Sequence, residues 1–347
     1  MIRFGLVGTG VGGDFIARAL KVLKEEGVAE LVAVAGRKPA KTEEFARKHG
    51  AERWYTSYDQ LIRDEGIDAV AISTPHYLHF PQTIAAVERG LHVLVDKPMA
   101  INLVEADGMI KAAEKKGVKL GVIFEFRFDP SVEKLKKMVD EGRFGRLIMG
   151  EAVVEWHRTQ EYYDRSDWRG RWATEGGGAL INQAIHTIDL LLWLMGDVEL
   201  LWALVGTFAH RIEVEDLAVA ALKFRNGAYG VIQGSTAIYP GLPTRLEIHG
   251  VDGTAVLEGN TLKVLAVRGE EAGGGGEGSK ELASWARPEA VPIDNHVRLI
   301  RDFAKAVEED RQPRVDGREG RRSLEVIRGI YLSGRTGQVV RFPLKEV

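Results

Sequence analysis

No cysteine occurs among the 347 residues. That excludes a thiol nucleophile, a thiolate-held metal and any disulfide, and it leaves the redox compartment open. An excess of charge of one sign is also missing: 47 basic against 50 acidic side chains give a formal net charge of -3. Nothing in that balance points to nucleic acid or to an anionic membrane surface. The most apolar stretch, Leu190 to Met195, lies between Asp189 and Asp197 and is too short to cross a bilayer. The chain enters a strand-like pattern at once, so no signal peptide is expected and the cytoplasm is the default location. What remains is a chain of ordinary globular composition, long enough for two domains.

The opening is more specific. Met1 to Val7 reads as a buried strand. It runs into Gly8-Thr9-Gly10-Val11-Gly12-Gly13 and then into an amphipathic helix from Asp14. This is G-x-G-x-x-G between a strand and a helix, the setting a dinucleotide fingerprint requires. Gly8 serves the tight turn, Gly10 the approach of a pyrophosphate, and Gly13 the close packing of helix on strand. The helix N-terminus turns its positive end toward the phosphates.

Apolar runs then alternate with helical patterns. Strands are expected at Leu31 to Ala35, Ala69 to Ile72, Leu91 to Val95 and Lys119 to Ile123, with helices at Ala40 to His49, Pro81 to Arg89 and Val104 to Lys116. That is the signature of β-α-β units and a parallel sheet. Beyond about residue 125 the pattern changes to a helix (Ser131 to Glu141) and longer alternating strands. Leu217 to Phe224 and Tyr229 to Gln233 flank Asn226-Gly227, a hairpin signal. Helical patterns return at Asn295 to Glu309 and Gly320 to Arg335. The expected architecture is a Rossmann dinucleotide-binding domain over 1–123, followed over 124–347 by an α+β domain with a mostly antiparallel open sheet. That second domain is expected to bind substrate and to form a homodimer or homotetramer through its uncovered sheet face, near Val219, Ala221, Val231 and Gln233. Gly273 to Gly276 lacks a following helix and is flanked by glutamates, so it reads as a hairpin loop and not a phosphate loop.

An NAD site places an acid at the end of the second strand. Here that strand ends in Ala35-Gly36-Arg37-Lys38. Two cations in place of a carboxylate favour NADP, with NAD possible. Two further segments stand at the carboxyl ends of parallel strands, where open α/β sheets bind ligands: Ser73-Thr74-Pro75, with His79 shortly after, and Asp96-Lys97-Pro98. Lysine is rarely buried without a partner, so Lys97 is either paired with Asp96 at the surface or a general acid/base beside the nicotinamide. Partial burial and a cationic ring both favour the neutral amine that this second role needs.

Taken together, the Gly8–Gly13 turn, Ser73-Thr74-Pro75 and Asp96-Lys97-Pro98 resemble the glucose-fructose oxidoreductase/inositol dehydrogenase/rhizopine-catabolism (Gfo/Idh/MocA) family, in which the third motif is usually Glu-Lys-Pro. Trp168-Arg169-Gly170 and Gly176 to Asp189 are similar to its glycine-rich helix with an Asp-x-x-x-His pair. The likeness runs from residue 1 to about residue 340. It implies that Gly8, Thr9, Gly10, Val11, Gly12, Gly13, Arg37, Lys38, Ser73, Thr74, Pro75, His79, Asp96 and Lys97 bind the nicotinamide cofactor. It also implies that Lys97 is the catalytic acid/base and His186 its partner at the substrate hydroxyl.

Asn182 replaces the family's carboxylate. An amide orients a hydroxyl but takes no proton, which shifts that work to Lys97 and His186. Asn182 and His186 are four apart and share one helix face. With Tyr163, Trp168 and Arg169 they form the expected substrate contacts, aromatic faces suiting a pyranose and arginine suiting a carboxylate or phosphate. His76 with His79, and His186 with Asp189, have the spacing of ligand pairs, but no third ligand follows and hydride transfer needs no metal, so none is expected. The implied activity is hydride transfer between nicotinamide and a secondary hydroxyl or ketone of a sugar, a sugar nucleotide or a cyclic polyol. A nicotinamide-dependent glycosidase of the same family and a non-catalytic NAD(P)-sensing regulator are the alternatives.

Overall fold

The computed structural model describes residues 1–259, 261–269 and 292–344. The Gly273 to Gly276 loop lies outside them. The chain divides into two compact units, Met1–Phe128 with Val291–Arg321, and Asp129–Ala290 with Arg322–Val347.

The first unit runs β1 (Ile2–Val7), α1 (Val11–Glu25), β2 (Ala29–Ala35), α2 (Pro39–His49), β3 (Arg53–Tyr55), α3 (Tyr58–Leu61), β4 (Ala69–Ile72), α4 (His79–Glu88), β5 (His92–Val95), α5 (Leu103–Lys116) and β6 (Leu120–Val122). Its six strands are parallel in the order β3-β2-β1-β4-β5-β6, the order of a dinucleotide-binding sheet. The sheet is covered on both faces, so β4 is buried at every position, which is why its sequence reads as a continuous apolar run. The three-residue β3 was not legible: its middle residue, Trp54, is exposed and no apolar run marks it.

The second unit contains α6 (Pro130–Asp140), β7 (Leu147–Glu155), α7 (Gln160–Asp164), α8 (Ile185–Met195), β8 (Val198–Gly206), β9 (Leu217–Phe224), β10 (Tyr229–Ser235), β11 (Arg245–Gly250), β12 (Gly253–Glu258) and β13 (Thr261–Val267). The chain closes with α9 (Asp294–Glu308), α10 (Gly317–Thr336) and β14 (Val340–Arg341). The second sheet has the order β13-β12-β11-β7-β10-β9-β8-β14. It is antiparallel except for β7 beside β10. The Asn226-Gly227 hairpin forms as expected, with Gly227 at φ 88°. α8 packs on this sheet closely enough that a Cβ at Gly150 would lie 2.7 Å from Met195 Cγ. Such burial explains a helix that is apolar nearly all round.

The division of the chain differs from a single cut near residue 123. The segment from Val291 to Arg321 belongs with the first unit because α9 packs along α1. His296, Val297, Leu299, Ile300, Phe303 and Ala304 form its buried face, and the Phe303 ring lies 6.0 Å from that of Phe4 on β1. Helical periodicity marks this face in the sequence; the surface it covers is not written there.

His296 begins that face at 8% exposure, its ring 5.2 Å from Phe15 on α1. Among the described residues its Nδ1 has no hydrogen-bond partner. Burial, with a smaller contribution from Arg18, pushes its pKa from 6.5 down to about 4, against the opposing pull of Asp96. The folded state therefore holds a neutral ring while the unfolded chain takes a proton. Stability from this group is complete above pH 6.5 and is lost as pH falls from there through about 4. The expected loss is about 3 kcal/mol. Thermal melts between about pH 7 and pH 4 should fall more steeply for the wild type than for His296→Phe; equal slopes would remove His296 as the cause.

Candidate active site

Three motif loops meet at the carboxyl ends of β1, β4 and β5, which are neighbours in the first sheet. Gly8 follows β1 with φ 109°, and a Cβ there would lie 2.0 Å from Ser73 O, so the turn demands glycine on both counts. A Cβ at Gly13 would lie 2.0 Å from Gly8 O, which confirms its helix-on-strand role. Gly10 is different. It caps α1 with no side-chain hydrogen bond, and among the described residues a Cβ there would meet no atom within 4 Å. Among the described residues no neighbour requires glycine at that point, and the open side has room for a pyrophosphate laid against the backbone. The helix start also offers N–H groups and a positive dipole end. The residues present thus fit a dinucleotide.

Gly12 lies against Ser73 and Asp96, which a Cβ would approach to 2.3 Å at Ser73 Oγ and 2.6 Å at Asp96 Oδ2. Asp96 Oδ2 accepts a hydrogen bond from Ser73 Oγ at 2.8 Å, and Oδ1 accepts from the Lys97 backbone N–H at 2.8 Å. One carboxylate thereby bonds the Ser73 loop to the Lys97 loop and lies against the glycine turn. Lys97, Ser73, Thr74 and Pro75 are half-buried around it, and the Thr74 hydroxyl donates to Gln82 Oε1.

His79 has another task than cofactor contact. It is fully buried, with Nδ1 2.8 Å from Pro98 O and Nε2 2.8 Å from Thr74 O. It braces the second motif against the third. Two carbonyl acceptors favour the doubly protonated ring, and burial, the larger effect, holds its pKa below the ordinary value. At the end of β2, Gly36 packs on Thr9, while Arg37 and Lys38 are exposed. Val11 is exposed on the first turn of α1.

The second unit carries a separate cluster. A π-helical turn, Ala179–Ala184, leads into α8. This corrects the expectation of one continuous α-helix; such wide turns are frequent at functional sites. From Glu175 through Leu192 every residue is buried except Asn182 and His186, which reach intermediate exposure. The two expected substrate contacts therefore open while everything between them is packed. Asn182 Nδ2 donates to Glu175 Oε1 at 2.6 Å and to Tyr162 Oη at 3.4 Å. Arg169 stacks 4.7 Å from the Tyr162 ring and 4.6 Å from the Trp168 ring, and Arg158 lies 5.5 Å from Tyr162.

Tyr163 packs against Tyr162 but turns its hydroxyl away from Asn182. It is 4% exposed, and its hydroxyl pairs with Thr236 Oγ1 at 2.8 Å. Tyr162, its neighbour, takes the place near Asn182. The two rings meet edge to face, centroids 5.1 Å apart, but only the Tyr162 hydroxyl reaches Asn182, and sequence alone offers nothing to choose between them. Glu175 and Glu215 were likewise not singled out. Glu215 is buried and accepts from the N–H groups of Gly178 and Leu180 and from Tyr331 Oη, so it anchors the glycine-rich approach to the π-helical turn. Burial pushes its pKa up to about 7. Among the described residues no three His, Asp or Glu side chains gather as a metal ion would require. Nor is any helix there long and apolar enough to cross a membrane.

Fold and strand-end cluster define the class: a nicotinamide-dependent oxidoreductase. Residues 2–124 match the model of an oxidoreductase family with an NAD-binding Rossmann fold, and residues 132–256 match the GFO/IDH/MocA C-terminal domain. The chain belongs to the Gfo/Idh/MocA family. It is 34% identical to the WlbA dehydrogenase of Bordetella pertussis, solved in complex with NADH and UDP-GlcNAcA, with a TM-score of 0.87 and 99% of each chain covered. It is 28% identical to myo-inositol 2-dehydrogenase of Thermotoga maritima over 93% of each chain. It is 27% identical to 1,5-anhydro-D-fructose reductase of Ensifer adhaerens, over 97% of this chain and 98% of the other.

The two glycines with opposite surroundings should respond oppositely. Gly13→Ala forces a Cβ onto Gly8 O and should cost roughly 1–3 kcal/mol of stability. Gly10→Ala meets no protein atom, so its melting temperature should stay near that of the wild type while affinity for nicotinamide dinucleotide falls at least about tenfold. Calorimetry and fluorescence titration read the two effects separately. Unchanged cofactor affinity in Gly10→Ala would place the pyrophosphate elsewhere.

Proposed function

We propose that the protein transfers a hydride between nicotinamide and a secondary hydroxyl or ketone of a sugar, a nucleotide-linked sugar or a cyclic polyol. The observation that carries this reading is the placement of Lys97: half-buried at the end of β5, its backbone held by the carboxylate that also fixes the Ser73 and Gly12 loops. Bound nicotinamide supplies the hydride acceptor or donor. Lys97 Nζ takes the hydroxyl proton as the carbonyl forms, or returns it in reduction. On the second unit, the half-buried His186 and Asn182 suit substrate hydroxyls. Arg158 and Arg169, stacked on Tyr162, suit an anionic group on the substrate such as a phosphate or a carboxylate. The relatives named above act on an inositol and an anhydrosugar, and one was solved with a sugar nucleotide, which supports this range of substrates.

The proposal extends to cofactor choice and assembly. No carboxylate follows β2 before Glu43, and the exposed Arg37 and Lys38 favour NADP through its 2′-phosphate. Val219 and Gln233, and Ala221 with Val231, pair across β9 and β10 on the outward face, where Leu204 and Tyr229 are also exposed. A second copy covering this face supports a homodimer or homotetramer, and light scattering at micromolar concentration should return a multiple of the 38.3 kDa chain. A monomer mass would refute it.

The test begins with a screen of inositols, aldohexoses and UDP-GlcNAcA against both cofactors, read by absorbance of the reduced nicotinamide. On the substrate found, Lys97→Met should lower turnover by roughly 10²–10⁴-fold and change cofactor affinity by less than about tenfold. Near-normal turnover would overturn the assignment; wholesale loss of cofactor binding would make Lys97 a ligand-binding cation instead. Titrations should give tighter NADP than NAD, with Arg37→Ala weakening NADP selectively by about 1–3 kcal/mol. Equal or tighter NAD binding would remove the proposed preference.

A further inference from the structure

Between β8 and β9 the chain folds back on the segment that carries Arg158. There the buried Asp216 gathers N–H groups. Its Oδ1 accepts from the Phe208 backbone at 2.8 Å, and its Oδ2 from Ala209 at 2.8 Å, from His210 at 3.1 Å and from the His210 ring Nδ1 at 2.9 Å. The other ring nitrogen, Nε2, lies 2.8 Å from Arg158 O. The His210 side chain is 4% exposed. Surrounded by N–H donors, the Asp216 carboxylate is an acceptor only, and a backbone carbonyl is never anything else. A neutral imidazole donates through one nitrogen and would set the lone pair of the other against an oxygen. Only the doubly protonated ring makes both bonds. Asp216 balances its charge, and both members of the pair are hydrogen-bonded, as a buried ion pair requires.

Arg158 is held at both ends of its main chain. Its N–H donates to Thr236 O at 2.8 Å, and the Thr236 N–H donates to Asp216 O at 2.9 Å, so the circuit through Asp216, His210, Arg158 and Thr236 closes on itself. Tyr163 backs it, its ring edge 5.0 Å from the His210 ring and its hydroxyl paired with Thr236 Oγ1. From this frame the half-buried Arg158 side chain stacks 5.0 Å from the Trp156 ring and 5.5 Å from the Tyr162 ring.

We propose that His210 is a positioning residue for substrate binding: as an imidazolium it holds the Arg158 main chain and so places the guanidinium for an anionic group on the substrate. This rests on the reading of Arg158 as a contact for a phosphate or carboxylate. The consequence is an affinity that depends on one proton. When the ring loses it, the remaining N–H stays with the charged acceptor, Asp216, and the Arg158 carbonyl is released. The side chains against the ring are Asp216, just before β9, and Tyr163 on α7, with the Arg158 main chain on the far side. Burial pushes the Tyr163 hydroxyl above its ordinary range. Of these side-chain types only an imidazole changes charge near neutral pH.

UDP-GlcNAcA is the anionic compound of the screen, and its diphosphate and carboxylate stay ionised from about pH 6 to 9. Over that interval its KM should rise roughly 5–10-fold in the wild type, the loss of one hydrogen bond. His210→Gln presents one donor and one oxygen in place of two donors. It should hold the raised KM at every pH with kcat near that of the wild type. His210→Lys, a cation with several donors throughout, should hold the low KM at every pH. Neutral polyols should show none of these changes. Nitrogen NMR of the His210 ring, followed without substrate, should report loss of the second proton over the same interval. A ring neutral throughout, a flat wild-type profile, or a KM that still rises with pH in His210→Lys overturns the proposal. If Arg158→Ala raises KM while His210→Gln matches the wild type, the positioning role is wrong and the Arg158 contact stands. If Arg158→Ala is silent, or only neutral compounds turn over, the Arg158 reading fails and takes this inference with it. Should the variants not fold, the wild-type profile and the ring signals decide.

Discussion

The carboxylate of Asp96 bonds the end of β4 to the end of β5 and lies against the first turn of α1. Its two oxygens are used on different loops, one for the Ser73 hydroxyl and one for the Lys97 backbone N–H, and its bulk faces Gly12 at the start of α1. Parallel strands leave their carboxyl ends as separate loops with no ladder to connect them. A site that needs the glycine turn, the Ser73-Thr74-Pro75 segment and Lys97 in fixed register must therefore be joined by side chains. Asp96 does so from the ligand side, and His79 from beneath by gripping the carbonyls of Thr74 and Pro98. Both bonds are made to or through backbone groups, so the loop that carries Lys97 is positioned by its main chain.

The second unit uses the same device with buried acids. Glu215 takes the N–H groups of Gly178 and Leu180, and Asp216 takes those of Phe208, Ala209 and His210. Loop N–H groups left by an irregular chain need acceptors when buried, and consecutive carboxylates on one segment serve two loops at once. The glycines before the π-helical turn let that segment come close: a Cβ at Gly178 would lie 1.9 Å from Glu215 O, and one at Gly177 2.1 Å from Tyr331 Oη. Here glycine makes room for backbone and tyrosine, whereas at Gly10 it leaves room for something outside the protein.

What was legible in the sequence follows from which interactions are local. β1, the glycine turn and α1 are contiguous, so the strand was read almost to the residue, while the helix, expected from Asp14, begins at Val11 within the glycine run. The hairpin at Asn226-Gly227 was equally plain, because its turn chemistry is local. The long-range items were not. β3 is too short to show a period, the parallel pairing of β7 with β10 joins residues some eighty positions apart, and α9 returns to α1 across most of the chain. Among the site residues named from sequence, Lys97, Asn182 and His186 stand at half-buried positions, whereas His79 and Tyr163 are buried. A polar side chain in a motif looks the same in sequence whether it faces a ligand or braces a loop. Glu175 was missed for the converse reason: it stands before a glycine run with no pattern of its own, and its meaning depends on Asn182.

Asp96 illustrates how such dependence hides in a conservative difference. The family's usual glutamate is one methylene longer. In this chain a Cβ on Gly12 would already approach Asp96 Oδ2 to 2.6 Å. A longer acid on the same backbone would drive its carboxylate into the first turn of α1, or would give up the bond to its own neighbour's N–H. The short acid therefore belongs with the position of α1's first turn and with the reach of Ser73, and the three are set together. Read as letters, aspartate for glutamate is a mild change. Read as a carboxylate with two committed oxygens and a helix against its back, it limits how closely the Lys97 loop and the glycine turn can approach.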